Sequence, residues 1–361
     1  MPRTSAQSLL GWFRSSAREL PWRTPLPRDP YAVLVSEVMA QQTQLDRVVP
    51  VFRRFLVRFP SVQDLSAAEA EDVVHAFSGL GYYRRARLLH QAARAITERG
   101  AWPTTFEALR ALPGFGTYTA AAVAAFAFGG SEPPVDGNVA RVTARLGAQS
   151  LVLGSGPLLK KGRLLASAFY AEVGTPHVWE ALMELGATVC TPSKPACASC
   201  PLASGCAGLR AGTPTAFPLP RARRAREVQR WAVLWLERPD GSVLLRRVDD
   251  VLLLAGLWLP PFAVLSDGAS APDAARDLAR ASGFDVPLTP AATVKHGITH
   301  RDIRVLPFVG AASATRVGEA GDGSSWQQPH APAVGVSSLV AKLARVCARN
   351  EARRSPAESE E

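Results

Sequence analysis

The chain has 361 residues, enough for about two or three domains, and 47% of them are apolar, which supports packed cores and excludes wholesale disorder. A formal net charge of +10 favours a polyanionic partner, nucleic acid ahead of an anionic membrane surface. No apolar run approaches the roughly 20 residues of a spanning helix and no leader-like N-terminus is present, so the expectation is a cytoplasmic monomer, nucleoid-associated if bacterial, with no membrane contact.

The first 20 residues alternate Leu9, Leu10, Trp12 and Phe13 with arginine, an amphipathic helix without evident chemistry. Leu20-Pro21-Trp22-Arg23 is a stiff turn whose Trp22 reads as core by default and whose Arg23 can pack or reach a base. Asp29-Pro30 opens a helix through Tyr31, Val33, Leu34, Val38 and Met39. Within it Glu37 has little polar face to occupy, and a carboxyl held among apolar groups gains a raised pKa suited to a general acid. A further helix is expected over 49–58, and Ser66-x-x-Glu69 reads as a capping box. The stretch Gly79-Leu80-Gly81-Tyr82-Tyr83-Arg84-Arg85 sets two tyrosines on a glycine-rich turn beside a basic helix start, which suits either a DNA wedge or a helix cap with a buried Tyr.

Thr104-x-x-Glu107 is read as capping the first helix of a hairpin at about 105–128, whose turn is Pro113-Gly114-Phe115-Gly116 and whose second helix runs from Thr117 to about Phe128. Gly114 and Gly116 allow close backbone approach, and free amides at a helix start suit a phosphate. Asp136 follows in Val135-Asp136-Gly137-Asn138-Val139, where a carboxylate just before an apolar-periodic helix is explained by capping unless something further is asked of it. Helices are expected at about 158–172 and 177–186, the second carrying Glu180 on what would be its surface. Cys190, Cys197, Cys200 and Cys206 then form a C-x6-C-x2-C-x5-C loop; four thiolates at this spacing suit zinc or an iron-sulfur cluster, and the spacing alone leaves both open. Cys347 stands apart without a signal.

From Ala211 to about Gln229 the composition turns to Gly, Pro and Thr and then to the basic string 221–226, a linker whose arginines can lie on phosphates or in solvent. Beyond it the period changes. Strands are expected at 231–237 and 242–247 around Pro239-Asp240-Gly241, at 291–296 and at 302–309, with helices at 274–281 and 337–348. That half is α/β.

The LPGFGTYTA hairpin with Asp136 beyond it resembles the helix-hairpin-helix DNA glycosylases, the endonuclease III-like superfamily, and the string Ser36-Glu37-Val38-Met39-Ala40-Gln41-Gln42-Thr43 is similar to the MutY-type adenine DNA glycosylases within it. The likeness runs from Trp22 to about Ala344. It implies a multidomain chain: an all-α catalytic domain (1–212) with a 4Fe-4S cluster on the four cysteines, a linker (213–229), an α/β Nudix-like recognition domain (230–348) and a disordered tail (349–361). It implies base-excision repair, with Glu37 protonating adenine, Asp136 stabilising the sugar cation, Tyr118 and Asn138 orienting Asp136 and the adenine, and Glu180 in the adenine pocket. The implied partner is double-stranded DNA with adenine opposite 8-oxoguanine or guanine. Gln42, Leu80, Tyr82, Trp22, Arg23, Gly114 and Gly116 would touch that DNA.

Tyr118 replaces the lysine by which endonuclease III cleaves the backbone, which implies a monofunctional enzyme. Gly256-Leu257-Trp258 and His296-Gly297-Ile298-Thr299-His300 resemble the Nudix-like domain, whose aromatic-Ser/Thr-His loop recognises 8-oxoguanine; Ile298 stands where the family usually has Phe, while Thr299 and His300 keep the polar contacts. Residues 275–280 hold one acid, short of the glutamate cluster a magnesium-dependent hydrolase requires, so recognition alone is expected there. The rival readings are an endonuclease III-like lyase, a G:T mismatch thymine glycosylase, and a catalytically silent iron-sulfur protein that binds DNA or senses redox state.

Overall fold

The computed structural model describes residues 5–222, 225–248, 254–312 and 323–351. In chain order the helices are α1 (Ser5–Ser16), α2 (Pro30–Ala40), α3 (Leu45–Arg58), α4 (Val62–Ala67), α5 (Ala70–Ala76), α6 (Arg84–Glu98), α7 (Phe106–Arg110), α8 (Thr117–Phe128), α9 (Gly137–Leu146), α10 (Gly156–Val173), α11 (His177–Thr188) and α12 (Ala207–Arg210). Then follow β1 (Glu227–Glu237), β2 (Val243–Arg247), β3 (Trp258–Leu259), β4 (Phe262–Leu265), α13 (Ala271–Ala281), β5 (Thr289–Pro290), β6 (Val294–Ile298), β7 (Arg301–Ala311), β8 (Ser324–Gln327) and α14 (Ser338–Glu351). They gather into two compact units: the described residues of Met1–Ala67 with Leu88–Arg223, and those of Ala68–Arg87 with Arg224–Glu361.

The first unit is all helical and is built around α8. Alanines crowd this helix, and nine of its residues are buried, Thr119 through Ala127, because it is apolar on every side. It ends at Gly129 in a left-handed cap. Asp29 starts α2 by accepting from Tyr31 N and Ala32 N, with Pro30 in the first turn as its fixed φ favours. Asp136 starts α9 in the same manner, taking Asn138 N at 2.9 Å and Val139 N at 2.8 Å.

Two capping assignments move. The box at Ser66 does not form, since Ser66 lies inside α4. Instead Ser61 and Asp64 exchange bonds three residues apart, Asp64 N to Ser61 Oγ at 3.1 Å and Ser61 N to Asp64 Oδ2 at 3.1 Å; the apolar Val62 and Leu65 must face the core, and that phase puts the helix start at Ser61. Thr105 rather than Thr104 caps α7, accepting from Ala108 N at 3.3 Å.

The second unit is the expected α/β body. Its mixed sheet has the order β3-β2-β1-β7-β5, with β4 pairing β1, β6 pairing β7 and β8 pairing β2. β1 and β7 run parallel through eleven residue pairs from Glu227↔Arg301 to Glu237↔Ala311, and the other pairings are antiparallel. α13 covers Ala232 and Phe308 with Ala271 and Ala275, and Leu234 and Leu236 with Ala279.

One boundary differs from the sequence reading. Residues 68–87 gather with the α/β body, although α6 runs on from Arg84 into the helical unit: Tyr83 Oη donates to Val336 O at 3.0 Å, Arg247 Nη1 meets Glu71 at 2.9 Å, and Gly335 sits so tightly on Val74 that a Cβ there would stand 3.0 Å from Val74 Cγ1. These contacts bridge some 180 to 260 residues, beyond what local pattern can signal. The tail from 352 to 361 and two linker arginines, Arg223 and Arg224, lie outside the described residues.

Candidate active site

A cavity of about 910 Å3 opens in the helical unit, and Glu37, Tyr118, Asp136, Asn138 and Glu180 all line it. Glu37 is the one carboxyl-bearing residue of α2, in a helix whose Val33 to Ser36, Val38 and Met39 are buried. It remains reachable from the cavity while protein surrounds it closely, so burial pushes its carboxyl up to about 7. The nearby Tyr118 hydroxyl favours the ionised form, whereas the charges of Asp136 and Glu180 oppose ionisation. The net result is a carboxylic acid able to deliver a proton near neutrality.

Asp136 has a different surrounding. Burial lifts its carboxyl above the ordinary range, opposed by the bonds from Val139 N and from the side chain and N–H of Asn138, and by the Arg141 charge. Asn138 Nδ2 donates to Asp136 Oδ2 at 2.7 Å, so both oxygens are held and the carboxylate has a fixed direction. Two carboxyls line one cavity, one raised to about 7 by burial and one bonded on both oxygens, and this difference divides acid and anion roles between them. Tyr118, whose ionisation burial places well out of reach, donates to Met183 Sδ at 3.2 Å.

Glu180 is buried at 5% exposure, which corrects its default surface reading. Arg28 grips it through two bonds of 2.9 and 3.0 Å and His177 Nδ1 lies 3.0 Å away. Burial alone would raise this carboxyl, but those bonds and the Arg28 and Arg23 charges together hold it below its usual range. Beside it Glu184 binds Arg18 at 2.7 Å and Arg23 at 2.7 Å. Arg23 therefore faces the cavity already committed to two glutamates, Glu184 and, at 3.6 Å, Glu180. Trp22 both packs and lines: its ring meets Phe52 edge-on at 5.1 Å, and it borders the cavity.

Gln42 is exposed at the cavity edge with φ 55, a left-handed conformation a non-glycine residue rarely takes. Gly114, at φ 76, is required twice over, because a Cβ would also stand 2.7 Å from Leu88 Cβ. Gly116 has open space where a Cβ would go, so only an outside partner would exploit its bareness.

Sequence reading missed Arg18, Arg28, Glu184, Arg141 and Gly186. Arg141 Nη2 donates to Asn138 Oδ1 at 2.8 Å and to Gly186 O at 2.7 Å, and its Nε to Cys190 O at 2.8 Å. Its only local signal is the three-residue spacing from Asn138. One turn on, Arg145 donates to Thr191 O and Pro192 O, each at 2.7 Å. The two arginines thus fasten the cysteine loop to the helix that Asp136 caps.

Cys190, Cys197, Cys200 and Cys206 border one small apolar-walled pocket with Arg145, Val189 and Leu209. Burial pushes the Cys200 thiol up, and the other three thiols add to the rise. Among the described residues no three potential ligands come close enough to hold a single ion. Four thiols around one shared apolar-walled pocket fit the donor set that an iron-sulfur cluster takes.

The other predicted residues lie in the α/β unit. Tyr82 is 50% exposed with φ 50, but Leu80 is buried at 5% exposure, so of these two residues expected to touch DNA only Tyr82 is presented. Arg85 fixes that loop by donating to Leu80 O at 3.2 Å and Gly81 O at 3.0 Å, its guanidinium 5.6 Å from the Tyr82 ring centre. Ile298 ends β6, and Thr299-His300 forms the two-residue turn into β7. Thr299 is exposed at φ 54, strained for a β-branched residue, and its hydroxyl lies 3.2 Å from His300 Nδ1.

Residues 35–150 match the family model described as HhH-GPD superfamily base excision DNA repair protein. An adenine DNA glycosylase of Mycolicibacterium smegmatis is 40% identical over 232 residues, covering 63% of this chain and 75% of that one. The chain belongs to the adenine DNA glycosylase family. The human member is 43% identical over 208 residues, 55% of this chain but 38% of its own length, so the chain spans well under half of the mammalian members it matches. Among solved structures a thermostable thymine-DNA glycosylase superposes at TM-score 0.51 with 26% identity, over 57% of this chain and 95% of that one. Glu37, Tyr118, Asp136 and Asn138 of the cavity lie within the residues matched by the family model, and Glu180 lies beyond them.

Proposed function

We propose that the protein is a monofunctional adenine DNA glycosylase of base-excision repair, hydrolysing the N-glycosidic bond of adenine opposite 8-oxoguanine or guanine in duplex DNA. The observation that carries this reading is the pairing of Glu37, held near pKa 7 by burial, with an Asp136 carboxylate fixed by Asn138 across the same cavity. A base in a duplex has to leave the stack to reach such a cavity. Glu37 gives its proton to the purine, at N7, and the base departs with the bonding electrons. Positive charge develops on the sugar, which Asp136 stabilises as an ion pair or a transient ester at C1′. Water then adds to C1′ and its proton returns to a carboxylate.

Tyr118 supplies no amine, so the abasic sugar is released with its backbone uncut. The four cysteines would hold a 4Fe-4S cluster, which when bound cross-links the loop that Arg141 and Arg145 tie to α9. Recognition of the opposite base is assigned to Tyr82 and to the turn of Ile298, Thr299 and His300, which keeps polar contacts but lacks the usual ring.

Single-turnover excision tests this on duplexes with adenine opposite 8-oxoguanine, adenine opposite guanine, and thymine opposite guanine, each with and without alkali. Strand breaks on the first two, only after alkali, are expected. Breaks without alkali would make the enzyme a lyase of the endonuclease III kind, and activity confined to thymine would move it to the thymine glycosylases.

A further inference from the structure

Three cations stand in a row across the sheet of the α/β unit. Arg230 on β1 lies opposite Arg304 on β7 in the parallel ladder, and Lys295 on β6 lies opposite the same Arg304 in the antiparallel one. Residues directly opposite on neighbouring strands share a face, with strands about 4.8 Å apart, so the three charges span roughly 10 Å. Lys295 and Arg304 are exposed and Arg230 is half-buried.

None of the three is paired with a carboxylate among the described residues. Other arginines of this unit are: Arg226 with Asp302, Arg301 with Glu227, Arg276 with Asp273, Arg280 with Asp277 and Arg247 with Glu71. On the same face α13 packs from the next residue pair onward, its first turn over Ala232 and Phe308 and its last over Leu234 and Leu236. The row therefore lies beyond the end of the sheet face that α13 covers. Like charges placed directly opposite in a sheet cost stability, and the acid two residues along the same face of β7, Asp302, is bonded to Arg226.

We propose that the row Arg230, Arg304, Lys295 grips the phosphodiester backbone of duplex DNA. Linear spacing of cations at strand intervals complements a regularly spaced polyanion better than it does a single anion. The Thr299-His300 turn begins beyond Ile298, three residues along β6 from Lys295, or about 10 Å at the rise of a strand. A major groove is about 8.5 Å deep, so a turn whose tip meets a base edge leaves the row level with the phosphates at the groove rim. This last step rests on the proposed function; the charge row does not.

The test substitutes Arg230→Gln, Lys295→Gln and Arg304→Gln together in the full chain and follows binding of an undamaged fluorescent duplex from 50 to 200 mM KCl. Each lost phosphate contact removes about 0.9 from the slope of log affinity against log salt, so the slope should flatten by about 2.7 and the affinity loss over that range should shrink about 40-fold. The thermal midpoint should hold or rise, Arg304→Lys alone should keep the full slope, and Arg276→Gln with Arg280→Gln should leave it unchanged. An unaltered slope in the triple variant overturns the proposal. So does loss of binding to vesicles of phosphatidylcholine with phosphatidylserine while the DNA slope stands, which would assign the row to a lipid surface. Absence of adenine excision by the unsubstituted protein would overturn the catalytic reading and leave the slope comparison intact.

Discussion

Glu37 sets a conflict between activity and stability within one side chain. Its carboxyl rises from 4.5 to about 7 because the folded protein surrounds it, so the unfolded chain gives up that proton more readily than the folded one. For a raised carboxylate the sign is the reverse of a salt-bridged one: stability is lost as pH climbs from 4.5 through about 7, and it is fully present only below that window. At 1.36 kcal/mol per pH unit the effect is at most roughly 3 kcal/mol. Glu37→Gln keeps the shape and removes the titration, so it should melt higher than the unsubstituted protein at pH 8 and equally at pH 4. The same variant should release adenine about 10²–10⁴-fold more slowly, the usual worth of a general acid. In the unsubstituted enzyme single-turnover release should fall tenfold per pH unit above about 7, as the acid form is depleted. A flat rate from pH 6 to 9, or a variant that melts lower at pH 8, would take the proton-donor role from Glu37.

The helices α9 and α11 decide where Asp136 points, and a glycine lets them approach. A Cβ on Gly186 would stand 2.5 Å from Asn138 Cβ and 3.0 Å from its backbone, with no flexible side chain to yield. Gly186→Ala should push α11 off α9, costing about 1–3 kcal/mol as overpacking does. It should also displace Asn138, whose amide holds Asp136 at 2.7 Å. The expected outcome is base release slowed at least about tenfold, in line with the sensitivity of reaction rates to misplacements of an ångström, while duplex affinity is retained. Equal rates for the two proteins on a pre-bound duplex would show that Asn138 tolerates the shift. The hairpin, the Asp136 cap and the cysteine loop were legible in the sequence because each is a local device: Gly114 for a left-handed turn, Asp136 two and three residues before the amides it accepts, thiols at fixed short spacing. The interlock of Gly186 with Asn138, 48 positions apart, had no such local trace.

Long-range pairing also explains what composition and periodicity left out at the scale of the whole chain. The change from helical to strand period after the linker was readable, and so was the α/β class of the second half. The glutamate clamps were not, because Arg18, Arg23 and Arg28 meet Glu180 and Glu184 across more than 150 residues. Nor was the allegiance of residues 68–87, which look like one more stretch of the helical domain until Tyr83, Glu71 and Val74 find Val336, Arg247 and Gly335. That allegiance has a consequence for any shortened protein. A chain ending at residue 222 keeps α5 and the Gly79–Tyr82 loop but loses every one of those three partners. Val74, 3% exposed in the full chain, would lose its contact with Gly335, and the Tyr83 hydroxyl would lose its acceptor. Arg85 can still close the loop locally through Leu80 O and Gly81 O, yet a few local bonds hold a segment less firmly once those long-range contacts are lost. Amide hydrogen exchange of the full and shortened chains should therefore diverge over residues 70–87, with protection lost there and retained along α8 and α9, where the burial belongs to the helical unit alone. If residues 70–87 exchange alike in both chains, the segment is held by the helical unit and its assignment to the α/β body fails.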